Sequence, residues 1–218
     1  MAAAPRLVLA TRNEHKVVEL RRLLAPHVPG LAEGDVVSVA GAVAAGLPDP
    51  GEVAETGVTF AENALLKARA VAAATGLPAV ADDSGLCVAV LGGAPGVFSA
   101  LWAGRHGDDA ANLRLLLAQL ADVPDAHRAA WFECAAALSG PGVEETVTSG
   151  TLHGRLARQP RGDGGFGYDP VLVPDGDVRT CAELTPDEKD AISHRGQAVR
   201  ALVATLAPLL ARGPETGR

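Results

Sequence analysis

The sequence predicts an α/β fold, a mixed sheet covered by helices, from three observations. Short apolar runs of strand length alternate with segments of helical period. Turn and capping residues punctuate the boundaries between them. A long second half adds two extended runs that resemble neighbouring strands. At 218 residues the chain is long enough to bury a substantial core as one compact unit.

Taken in order, RLVLA at 6–10 has strand length, and EHKVVELRRLL at 14–24 sets Val17, Leu20 and Leu24 at helical spacing, giving strand, turn, helix. The Gly- and Pro-rich stretch at 41–57 has no period and reads as a loop or a short extended connection. TFAENALLKARAVAAATG at 59–76 predicts a helix: Thr59 and Glu62 form a capping box, Leu65, Ala68, Val71 and Ala72 share a face, and Gly76 is a stop. LPAVADD at 77–83 predicts a strand that ends at its two acids, followed by a Ser-Gly turn and a second extended run, LCVAVL. A helix follows at 108–122, capped by Asp108 or Asp109. RAAWFECAAALS and EETVTSGTLHG then predict two antiparallel strands. After the loop at 158–170 come the short strand VLVP, a capped helical turn with Pro186 in its first position, and a closing helix with Ser193 as N-cap. The tail at 212–218 is expected to be disordered.

Charge and cysteine content exclude several functions. With 19 basic and 26 acidic residues the net charge is -7, which speaks against a broad grip on nucleic acid or on an anionic membrane. Cys87, Cys134 and Cys181 form no CxxC and are odd in number, so they read as buried thiols in a reducing compartment. The first residues lack the apolar length of a signal peptide, and no run approaches the roughly 20 residues of a membrane span; a cytoplasmic protein is expected. Sixteen of the basic residues are arginine, and only Lys16, Lys67 and Lys189 are lysine, so these three positions are candidates for a compact ammonium that guanidinium cannot imitate.

The candidate chemistry lies where strands end. In open α/β sheets ligands bind outside the carboxyl ends of strands. In TRNEHK the Thr11 hydroxyl, the Asn13 amide, the Lys16 ammonium and the backbone N–H groups suit a phosphate at a helix N-terminus; an ordinary cap with surface charges is the alternative. Asp82 and Asp83 are like charges side by side, costly to bury unless a cation or a proton neutralises them. Mg²⁺ would do so while also taking substrate phosphates, with Glu52 or Glu55 as further oxygen ligands; a solvated turn is the alternative. Asn63 and Lys67 share one helix face, so Lys67 either faces the acids or extends to water. In GDGGFGYDP four glycines flank Phe166 and Tyr168, either to let a flat base stack or to form a mobile hairpin over core aromatics. Lys189, His194 and Arg195 gather three potential cations near a helix start, suited to phosphate or to a base carbonyl, or else simply a surface helix end. Together these features point to a nucleoside triphosphate.

Five blocks in order, ATRNEHK, FAENALLKA, ADDSGLCVAVLGGAPGVFSA, GGFGYDP and ELTPDEKDAISHRGQA, closely resemble the inosine/xanthosine triphosphate pyrophosphatase family, house-cleaning enzymes that remove deaminated purine nucleotides. The resemblance runs from about 6 to about 210. It implies a single domain over 1–218 with a twisted central sheet, two lobes and a nucleotide-binding cleft between them. It further implies a homodimer, Mg²⁺ dependence, and hydrolysis of ITP, dITP and XTP to the monophosphate and pyrophosphate. By the same resemblance Thr11, Arg12, Asn13, Glu14, His15 and Lys16 form the triphosphate loop, and Asp83 is the general base and metal-linked acid beside Asp82. Ser84 is a substrate contact, and Glu55 and Lys67 are supporting metal and phosphate-facing positions. Phe166, Gly167, Tyr168 and Asp169 bind the base, and Lys189, His194 and Arg195 complete the pocket. Arg12 replaces a common small residue, and Ala54 stands where many relatives carry an acid, which leaves Glu52 or Glu55 to complete the metal shell. Two other functions remain compatible with the residues: a pyrophosphatase for other modified nucleotides and a non-catalytic nucleotide sensor.

Overall fold

The apolar run near the start forms strand β1, Leu7–Leu9, fully buried, and the residues after it turn into helix α1, Glu14–Leu24, whose Val17, Leu20 and Leu24 face inward as their spacing requires. In this computed structural model residues 4–211 are described, without the side chain of His15; the tail expected at 212–218 lies outside the described residues. Strand β2, Val36–Ser38, and helix α2, Val39–Ala44, follow. Neither is evident from the sequence, because a three-residue strand and a six-residue helix are too short to establish a period. Tertiary contact makes β2, which is buried throughout and pairs with β1 in parallel, and a local cap starts α2, where Ser38 accepts from the N–H of Gly41 at 2.9 Å. The loop expected at 41–57 is therefore corrected at its start, since 41–44 lie in α2 where the Ser38 cap begins a helix, and 45–57 is a loop as expected.

Helix α3, Phe60–Thr75, starts where Thr59 accepts from the Glu62 N–H at 3.1 Å. Glu62 reaches back to the N–H of Val58 at 2.7 Å, one residue before the cap. Gly76 ends the helix in the left-handed conformation at φ 69°.

Strand β3, Ala79–Val88, corrects the sequence reading at its most important point: it runs unbroken through Asp82, Asp83, Ser84 and Gly85. Gly85 is absent from the glycines with positive φ, so the Ser-Gly pair is extended backbone and not a turn. Pairing in the sheet and burial of Leu86 and Val88 override the local turn propensity. Helix α4, Asp109–Gln119, takes Asp108 as its cap, through the Ala111 N–H at 3.0 Å. The long strands β4, Ala129–Ser139, and β5, Thr146–Leu156, fall where expected, as do β6, Leu172–Pro174, and helix α5, Pro186–Ile192, with Thr185 and Glu188 as its capping box. Helix α6, His194–Ala211, is capped by Ser193 through the Gly196 N–H at 2.9 Å.

The sheet is mixed, in the order β2-β1-β3-β4-β5-β6, with β1 parallel to both β2 and β3 and β5 antiparallel to β6. The chain forms two compact units. One is built from the described parts of Met1–Asp83, Ala135–Ser149 and Ala198–Arg218, with Val8, Val37, Val39, Ala42, Val71, Ala72 and Ala79 in one core cluster. The other is built from Ser84–Cys134 and Gly150–Gln197, around Leu86, Leu116, Phe132, Leu156, Tyr168 and Leu172. All three cysteines are buried thiols outside any disulfide; burial pushes Cys87 up to about 11 and Cys181 to about 12, so both remain inert thiols.

Within the first unit the strand order fixes where a ligand site can form. The chain leaves β1 for β2 on one side and returns past β1 to β3 on the other, which makes the β1/β3 boundary a topological switch point. Right-handed crossovers put α1 and α3 on opposite faces there. The cap that starts α3 should therefore matter to everything α3 carries. Thr59→Ala is expected to cost about 1 kcal/mol of stability, read as a lower urea midpoint at unchanged m-value.

Candidate active site

The parallel pairing of β1 and β3 ends at Leu9 opposite Val80, and the Ala10 N–H makes a final bond to Val80 O at 2.7 Å. Because β3 continues past the end of β1, Asp82 and Asp83 stand just beyond the carboxyl end of β1, beside the turn that leads into α1. Successive side chains of a strand point to opposite faces. Each acid accordingly meets a different helix. Asp82 takes Lys16 of α1, with Nζ 2.9 and 3.0 Å from its two oxygens, and Asp83 takes Lys67 of α3 at 2.8 Å. Two adjacent carboxylates are thus neutralised separately, which resolves the cost of burying them.

The Asp83 centre contains more than one pair. Lys67 Nζ also bonds Glu55 at 2.9 Å, and Asn63 Nδ2 approaches the second oxygen of Asp83 at 3.4 Å. Asn63 is itself held by the Gly57 N–H at 2.8 Å. A Cβ on Gly57 would come within 2.7 Å of the Asn63 oxygen, so glycine is required for the loop to come this close. Burial raises the pKa of Asp83 above the ordinary aspartate value, and the nearby charge of Glu55 adds to this; Lys67 and Asn63 pull the other way without cancelling it. For Lys67 burial alone would depress the ammonium, but Asp83 and Glu55 outweigh it and hold the pKa above the ordinary lysine value. A carboxylate of raised pKa beside a fixed cation is suited to accept a proton.

The donor set also bears on a metal. Asp83 and Glu55 bring hard carboxylate oxygens to one ammonium, and among the described residues no three His, Cys, Asp or Glu side chains converge on a metal position. The two carboxylates could hold an ion that takes its remaining ligands from phosphate and water. Of the two glutamates considered, both exposed, Glu55 is the one that bonds Lys67.

The rest of the loop after β1 is engaged differently. The Thr11 hydroxyl accepts from the Asn13 N–H at 3.1 Å; Arg12 turns outward to Asp49 at 3.0 Å; and Glu14 accepts a short bond from Ser38, fastening α1 to the start of α2. The side chain of His15 lies outside the described residues.

In the second unit the aromatic pair divides. Phe166 is 63% exposed, with Lys189 Nζ 5.2 Å and Arg195 Cζ 5.8 Å from its ring centroid. Tyr168 is instead only 6% exposed, packs in the core cluster, and donates its hydroxyl to Ser99 O at 2.9 Å. The expected two-ring stacking platform is therefore corrected to one ring, since the Tyr168 ring and hydroxyl are both used internally. The glycine-rich loop is corrected too. A Cβ on Gly162 or Gly164 would meet the backbone of Ala182 at 2.6 or 2.8 Å, so these glycines serve chain-on-chain packing and not approach to a ligand. Asp169 is buried, pairs closely with Lys189, and accepts from the Phe166 N–H at 2.8 Å. Ser84 accepts from Arg195 at 3.3 Å, and the His194 ring stacks on Phe132 with centroids 4.9 Å apart. The structure thus gathers Lys67, Asp83 and Glu55 in one unit, and Phe166, Asp169, Lys189 and Arg195 in the other. Sequence reasoning missed Asp109, which accepts from the Gly167 N–H at 3.0 Å; an acid at a helix start carries no sign of a partner 58 residues away.

The model of the Ham1 family matches residues 7–205. The chain belongs to the Ham1 family. Among Ham1 relatives, the dITP/XTP pyrophosphatase of Streptomyces coelicolor is 63% identical, with 94% of this chain and 98% of the relative covered. A crystal structure of a nucleoside-triphosphatase / dITP/XTP pyrophosphatase from Mycobacterium abscessus is 52% identical, with a TM-score of 0.74 over 92% of this chain and 98% of that one. The structure of a HAM1 protein from Coxiella burnetii is 41% identical, with a TM-score of 0.81 over 94% and 99%.

The electrostatics of the Asp83 centre can be checked directly. In a carboxyl-carbon NMR titration of the protein without nucleotide, Asp83 should titrate above the usual aspartate range. Lys67→Met should move it further upward, because the ammonium is what restrains the shift.

Proposed function

We propose that the chain hydrolyses dITP, ITP and XTP to the nucleoside monophosphate and pyrophosphate, and so keeps deaminated purines out of DNA and RNA. The observation that carries this reading is the buried Asp83 carboxylate of raised pKa, held against Lys67 and Asn63 beside Glu55 at the open end of the parallel strands. Membership of the Ham1 family and the names of its relatives supply the substrate class.

The chemistry follows from the placement of charge. Asp83 takes a proton from water as the water oxygen attacks the α-phosphorus, and the bond from that phosphorus to the bridging oxygen breaks, releasing pyrophosphate. Lys67 steadies the Asp83 carboxylate, and with Lys16 it offsets negative charge on the phosphate oxygens, an arrangement already in place before the substrate arrives. Asp82 acts through Lys16, setting the direction of that ammonium. Asp83 and Glu55 would hold Mg²⁺, which when bound would supply charge neutralisation of the triphosphate. Thr11 and the N–H groups before α1 face the same polyphosphate. Phe166 offers its exposed ring to the base, and Lys189, His194 and Arg195 favour a 6-keto oxygen over the 6-amino group of adenine. The chain acts as one two-lobed domain and as a cytoplasmic homodimer.

The deciding experiment is a panel of ITP, XTP, dITP, GTP and ATP with Mg²⁺, resolving pyrophosphate from orthophosphate. Pyrophosphate from the first three, abolished by EDTA, is expected; orthophosphate as product, or a preference for ATP, would overturn the reading. Asp83→Asn should lower kcat by about 10²–10⁴-fold with an unchanged circular dichroism spectrum.

A further inference from the structure

Phe166 is the one large apolar ring of the second unit held open between two cations, and an exposed ring on a glycine-rich turn needs something to fix its direction. The structure fixes it at both neighbouring peptides. The N–H of Phe166 donates to Asp169 at 2.8 Å, and the N–H of the next residue, Gly167, donates to Asp109 at 3.0 Å. Gly167 has φ 60°, a conformation that places its N–H for this contact and that few other residues adopt. Asp169 belongs to the turn itself, whereas Asp109 comes from the first position of α4 and ties the turn to a separate element.

Asp109 is not needed to start its own helix. The cap is Asp108, which accepts from the Ala111 N–H, and this leaves the Asp109 carboxylate to reach the turn. Beside it lies an open hollow of about 430 Å³ lined by residues 105–110, so the carboxylate is not wedged in place by packing. Its bond to Gly167 is the contact that orients it.

We propose that Asp109 is a positioning residue for base recognition: by holding the Gly167 peptide it sets the Phe166 ring against the purine, without touching the substrate. The inference rests on the proposed pyrophosphatase reading and deepens it, by separating a residue for base affinity from those for phosphate chemistry. Loss of the carboxylate frees one of the two peptides beside Phe166, so the penalty falls on binding of the base and not on the chemical step.

The test compares Asp109→Ala, Asp109→Asn and Asp108→Ala in steady-state hydrolysis of dITP, with inorganic tripolyphosphate as a competitive inhibitor that has no base. Asp109→Ala is expected to raise KM about tenfold, the loss of one hydrogen bond to a charged acceptor, with kcat within about twofold and the tripolyphosphate inhibition constant unchanged. Asp109→Asn keeps an acceptor oxygen and should recover most of the KM. Asp108→Ala removes the helix cap and should lower Tm without matching the KM effect. If Asp109→Ala does not fold, Asp109→Ser, whose hydroxyl is too short to reach, takes its place. An unchanged KM, an Asn variant as impaired as Ala, an equal effect from Asp108→Ala, or a parallel loss of tripolyphosphate binding would overturn the assignment of Asp109 alone. A wild-type protein that cleaves no purine triphosphate would instead overturn the reading on which it rests.

Discussion

Two adjacent carboxylates on one strand, each matched to a lysine from a different helix, are the constraint around which the first unit is organised. Alternation along β3 sends Asp82 and Asp83 to opposite faces, and the reversal of strand order at β1 gives each face its own helix. Neither lysine could serve both acids. A shift of β3 by one residue would turn each acid to the other face and set Ala81 or Ser84 opposite one of the lysines, breaking the centre that Asn63, Gly57 and Glu55 support.

The same principle recurs in the second unit with a different outcome. Lys189 pairs with Asp169, the third lysine of the chain on a third aspartate, but here the carboxylate is almost fully buried and also holds the Phe166 peptide. Asp83 keeps a raised pKa and an open role, whereas Asp169 is committed to holding the turn. The partners differ as well: Asp83 is met by the Lys67 and Asn63 side chains, while Asp169 is met by an ammonium and a backbone N–H.

A carboxylate kept at raised pKa works against stability at neutral pH, because the unfolded chain ionises it more readily than the folded one. The fold tolerates this because Lys67 is held from two sides and because the helix that carries it has both ends closed, by Thr59 and by Gly76. The cost stays local to Asp83.

Much of this protein could be read from its residues: the helices at 14–24, 60–75 and 109–119 from period and caps, the two long strands from β-branched and aromatic content, and the candidate site from five ordered blocks. What escaped was whatever depends on partners distant in sequence. Residues 36–38 become a strand only because β1 lies beside them, and Ser84-Gly85 is extended only because the sheet continues past it. Tyr168 and Phe166, two residues apart, looked alike as aromatics, and Ser99, 69 residues before Tyr168, decided which one is buried. Local sequence determined propensity, caps and the kinds of chemical group available. Tertiary structure decided which lysine neutralises which aspartate and which ring stays open, because burial and hydrogen bonding are settled by residues that meet only once the chain has folded.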